Sequence, residues 1–79
     1  MSTSWSVVEL SRTEVNLIAD KLEPIVNAIG SRKAAAAALG VTETTIQRGT
    51  CRKSYLRIER RILDDIARIT GLDTSRMGT

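Results

Sequence analysis

The chain has no histidine and no phenylalanine, and one each of cysteine, proline, tryptophan and tyrosine. Without histidine it lacks an imidazole base and the commonest metal ligand. One cysteine, Cys51, cannot close an internal disulfide, which fits a reducing cytoplasm. No paired acids stand at ligand spacing, so a zinc site is not expected. No phosphate-cradling glycine loop is present. Asp64 and Asp65 are adjacent and read as a solvated helix face rather than a catalytic pair. These absences point away from an enzyme and from any metal or cofactor. No run of about 18 apolar residues is present to span a membrane. The opening MSTSWSVVEL lacks the basic start and long apolar centre of a signal peptide.

Scarcity also shapes the core. Aromatic residues are 3 % of the chain and apolar residues 42 %, so the interior must be built from Val, Ile, Leu and Ala. Seventy-nine residues make one domain with a small core. An aliphatic, alanine-rich interior favours helices over a sandwich. The expected fold is all-α, a bundle of four to five helices ordered over about residues 8–72.

The net charge of +3 is unevenly spread. Residues 1–30 carry two basic and four acidic side chains, net −2. Residues 31–61 carry Arg32, Lys33, Arg48, Arg52, Lys53, Arg57, Arg60 and Arg61 against Glu43 and Glu59, net +6. Residues 62–79 return to net −1, with two basic and three acidic side chains. Concentrated positive charge attracts phosphate backbones through counterion release. The plainer account is a solvated basic face.

Local signals place four helices. Ser11 and Glu14 have capping-box spacing, and Leu10 can staple onto Val15. Val15, Ile18, Leu22, Ile25, Val26 and Ile29 form one apolar stripe. The stripe keeps phase across Pro24, which favours one kinked helix over 11–29 above two separate ones. Gly30 suits its end. Ser31 caps a second helix that runs to Leu39 through the alanines at 34–38. Those small side chains let another helix cross closely, or serve as plain helical filler. Gly40 permits a sharp turn with Val41 pointing inward, and Thr42 caps a third helix ending near Gly49 or Thr50. After a loop over 49–53, a fourth helix is expected over 54–70. Its stripe is Leu56, Ile62, Leu63, Ile66 and Ile69, and Gly71 closes it. Leu72 can fold back onto Ile66 or Ala67, and residues 73–79 read as frayed.

With Ile46 as the buried anchor of the third helix, Thr44 and Arg48 fall nearly opposite it, flanked by Gln47 and Thr45. Thr42 and Glu43 sit at the helix tip. Gln47 has the donor–acceptor pair for adenine, Arg48 the fork for guanine, and Thr44 a methyl that suits thymine. Glu43 accepts from a cytosine amino group or simply favours the helix N-terminus. The unit over 31–50 is therefore the right shape and chemistry for a DNA major groove.

IGSRKAAAAALGVTETTIQRGT resembles the helix-turn-helix of Cro-like and related phage repressors in the lambda-repressor-like superfamily. The matching features are Gly30, Ala36 at the helix crossing, Leu39, Gly40 and Val41 in the turn, and Ile46. They cover about a quarter of the chain. The resemblance implies that the third helix lies in the major groove and the second meets a phosphate. It carries over Thr42, Glu43, Thr44, Gln47 and Arg48 as base-facing, with Thr45 at their flank. Ser31, Arg32 and Lys33 become backbone-facing. The loop after the third helix skirts the backbone in this class, so Arg52, Lys53 and Tyr55 join them, unless they only aid solubility. Of Arg57, Arg60 and Arg61, at most one is expected to touch DNA. The chain departs from the family in two places. Gly49 and Thr50 replace an apolar residue or tryptophan, and the following stretch reads as helix where the best-known Cro has a strand.

The implied function is a homodimeric, sequence-specific regulator of transcription, a repressor from a phage or mobile element. It would act in a bacterial or phage-infected cytoplasm on a palindromic operator with half-sites about 10 base pairs apart. The expected dimer surface is Trp5, Leu56, Ile62, Leu63 and Ile66, although Trp5 can equally pack on its own domain or lie in a free arm. Cys51 is an inert small side chain or, less simply, a redox sensor. Two rival functions stay open. One is an antitoxin or antiactivator that masks a protein partner. The other is an architectural or excision factor that bends DNA.

Overall fold

A computed structural model describes residues 6–77. The chain runs β1 (Val7–Ser11), α1 (Arg12–Ile29), α2 (Arg32–Leu39), α3 (Glu43–Gly49), β2 (Tyr55–Glu59) and α4 (Arg60–Thr70). The expected all-α bundle is therefore wrong: among the described residues four helices stand with a two-stranded antiparallel sheet, a mixed α/β arrangement.

The error lies in residues 54–59. Tyr55, Leu56, Arg57, Ile58 and Glu59 alternate between exposed and buried sides, with Leu56 and Ile58 inward. In a helix those two would lie about 200° apart, so no single helical stripe holds both. The segment instead pairs with β1 in the register Val8↔Ile58 and Leu10↔Leu56. Ser54 accordingly caps no helix; α4 begins straight out of the strand, with no side-chain cap at Glu59.

The first three helices follow local chemistry. The Ser11 hydroxyl accepts from the Glu14 amide, and the Glu14 carboxylate accepts from the Ser11 amide at 2.9 Å. α1 passes through Pro24 as one element, with the ring on its exposed side. Ser31 accepts from the Ala34 amide at 3.1 Å, and Thr42 from the Thr45 amide at 3.4 Å. Between α2 and α3, Gly40 takes a left-handed conformation (φ 72°). The Val41 amide donates back to the Ala36 carbonyl, closing the turn.

Among the described residues the interior has two clusters. One joins Val8, Leu10, Val15, Ile18, Leu56, Ile58, Leu63, Ile66 and Met77, and so holds the sheet, the start of α1 and α4. The other joins Leu22, Val26, Ala35, Ala36 and Ile46, and holds α2 and α3 on the second half of α1. Met77 is buried, Thr74 is buried, and Arg60 donates to the Thr74 carbonyl at 3.2 Å. The packed core thus reaches beyond the expected limit at residue 72, because Met77 completes the first cluster.

Candidate nucleic-acid interface

α3 has two sharply different sides. Thr45, Ile46 and Gly49 are buried, and Ile46 has no exposed surface. Gly49 packs so closely that a Cβ there would collide with the Leu22 side chain and approach Ile66 Cδ1 to 3.3 Å. This is why glycine stands where a larger apolar residue was expected: α3 rests directly on α1 and α4. The last turn is completed by Thr50, whose amide and hydroxyl both donate to the Ile46 carbonyl, at 3.0 and 2.9 Å.

Thr42, Glu43, Thr44, Gln47 and Arg48 are exposed. Thr45 is not: it is 2 % exposed and its hydroxyl lies 3.2 Å from that of Thr42. It belongs to the support of the helix and drops out of the base-reading set. The exposed side chains form two edges, because residues four apart share a helix face. Glu43 and Gln47 make one edge, and they line a cleft with Arg32 of α2. Thr44 and Arg48 make the other, and they line a cleft with Val7, Arg57, Ile58, Glu59 and Ile62. A further cleft, at the exposed end of the helix, brings Gln47, Arg48 and Lys53 together. α3 is thus a ridge bordered by shallow recesses, a form suited to insertion into a groove.

The expected backbone-facing residues divide. Ser31, Arg32 and Lys33 are exposed at the start of α2, where Ser31 already serves as the cap. Lys53 is exposed beside α3. Arg52 faces α1 instead. Its guanidinium pairs with Asp20 at 2.9 Å and with Glu23 at 2.8 Å, and its Nε donates to the second Glu23 oxygen at 3.1 Å. This bidentate grip holds the Glu23 carboxyl below the usual range and keeps Arg52 firmly protonated. Arg52 therefore ties the loop after α3 to α1. Tyr55 lies on the outer sheet face. Partial desolvation and a hydrogen bond to Glu9 raise its hydroxyl above the ordinary value.

The expected dimer surface fails in most of its members. Leu56, Leu63 and Ile66 are buried in this chain's own first cluster, so they cannot meet a second subunit. They were misassigned because a helix over 54–70 would have offered a spare apolar stripe. Ile62 is partly buried against that cluster and borders the α3 clefts. Trp5 lies outside the described residues. Among the described residues, the large apolar side chains that remain exposed are Val7, Leu17 and Tyr55.

Sequence reasoning gave little weight to Arg57 and Arg61, which the fold brings beside α3. The missed signal was the alternation over 55–59, which turns Arg57 outward on a strand. Arg60 is instead partly buried and bound to the segment around Thr74. Among the described residues, no helix is long and apolar enough to cross a membrane. Comparison of the chain with protein-family models, curated proteins and solved structures gives no match in any of the three.

Proposed function

We propose that the chain is a sequence-specific, double-stranded DNA-binding regulator of transcription that inserts α3 into the major groove, in the manner of Cro-like repressors. The observation that carries this is the two-sidedness of α3. Its inner side is locked by Ile46, Thr45 and Gly49, and its outer side offers Thr44, Gln47 and Arg48. Those outer groups match the donor, acceptor and methyl pattern of base edges. A rigid inner side matters because base discrimination needs side chains held in register. The strand β2 after α3 also removes one departure from the strand-bearing Cro pattern. One short helix reads few base pairs, so the functional unit is a homodimer on a two-fold operator; the resemblance to phage repressors favours repression as its effect.

The test is selection of duplexes from a randomised pool, followed by anisotropy titration of the winners against scrambled DNA at physiological salt. An enriched two-fold motif bound at least about 10³-fold more tightly supports the proposal. Gln47→Ala and Arg48→Ala should then relax preference at particular positions, while Lys33→Ala or Lys53→Ala weakens all sequences alike. Equal, salt-steep binding to every duplex would overturn sequence reading in favour of a DNA-bending role. Absence of DNA binding would overturn it in favour of a protein-masking module.

A further inference from the structure

The two exposed edges of α3 each face their own cations. The Glu43–Gln47 edge shares its cleft with Arg32. On the other edge Thr44 and Arg48 line a cleft of about 430 Å³, and Thr44 without Arg48 lines a neighbouring one of about 630 Å³; the two clefts share Thr44, Glu59 and Ile62. Arg57 enters the first of these and Arg61 the second. An α-helix with side chains is about 10–12 Å across, and the major groove about 12 Å wide. Cations on both edges of an inserted helix therefore meet phosphates on opposite walls of the groove.

Resting on the DNA-reading proposal, we infer that Arg57 and Arg61 form a second phosphate clamp. It grips the strand opposite the one held by Ser31, Arg32 and Lys33. Both side chains are free enough to do so. Arg57 is 65 % exposed and only 3.9 Å from Glu9; Arg61 is 80 % exposed and 3.7 Å from Glu59. Exposed pairs of that kind are weak and yield to a phosphate. Arg52, gripped by two carboxylates, does not. Glu59 lines both clefts, and Asp65 the larger one. Asp65 is 3.4 Å from Arg68, which offsets its charge, whereas Glu59 restrains Arg61 directly. Glu9 restrains Arg57 in the same way at 3.9 Å, so the two arginines act as a pair.

The experiment measures binding to a selected duplex as a function of salt, with phosphate-ethylation interference on both strands. Arg57→Ala with Arg61→Ala should lower the slope of log K against log salt by about 2 and erase interference on one strand. Lys21→Ala, at an exposed position of α1 and equal in charge to a single clamp variant, should leave the strand pattern intact. Glu59→Gln should tighten binding by releasing Arg61. An unchanged slope and pattern in the double variant overturns the clamp. If Arg48→Ala still relaxes base preference, DNA reading survives that failure; if Arg48→Ala is also silent, the reading itself falls.

Discussion

The two halves of the interior are built on opposite principles. Around the sheet and α4, large aliphatic side chains meet across long stretches of chain, as in Val8 against Ile58 and Leu10 against Leu56. Around α2 and α3, small residues bring helices together: Ala35, Ala36 and Gly49, with Ile46 as the one large plug from α3. The first cluster fills volume, and the second sets distance. The role proposed for α3 calls for the second kind of support, because the helix's position depends on how closely it approaches α1 and α4. The sheet cluster instead supplies most of the large buried side chains that hold the domain together.

This contrast predicts that the first cluster is broken by truncation and the second by enlargement. The largest effect is expected from Leu10→Ala, at about 3 kcal/mol. That would lower Tm by roughly 10–20 °C in a chain this size. Next come Ala35→Leu and Gly49→Val, each about 2 kcal/mol through overpacking. Denaturant titration ranks all three. Tolerance of Ala35→Leu within about 0.5 kcal/mol would show that close approach of α2 is not limiting. Thr42→Ala should cost about 1 kcal/mol by uncapping α3. Ser11→Ala should cost about the same at α1. Amide exchange separates the two, since the first should loosen α3 ahead of the sheet.

The smallest effect concerns the tie between the halves of the surface. The folded-state pKa of Glu23 is depressed, so its contribution to stability is present at neutral pH. That contribution is lost as pH falls through the depressed value. Glu23→Gln should therefore destabilise slightly at pH 7 and match the wild type in strong acid. A constant difference at every pH would mean that packing, not the ion pair with Arg52, accounts for the effect.

Legibility divided along the same line. The caps at Ser11, Ser31 and Thr42, the turn at Gly40 and the continuity of α1 through Pro24 could be read because their partners lie within four residues. The exposed positions Thr44, Gln47 and Arg48 followed from the helical period alone. Thr45 was misplaced because a threonine is acceptable at the surface or, bonded to Thr42, inside. Arg52 was misplaced because its partners, Asp20 and Glu23, lie about thirty residues away.

The sequence by itself determined the three helices from 12 to 49, their caps and turns, and the polar side of α3. Only the tertiary structure decided that residues 55–59 form a strand, that Leu56, Leu63 and Ile66 are spent on the core, and that Arg57 rather than Arg52 stands beside α3. The physical reason is reach. Helix hydrogen bonds and caps are satisfied locally, whereas a strand's amides and carbonyls need a partner strand, here supplied from about fifty residues away.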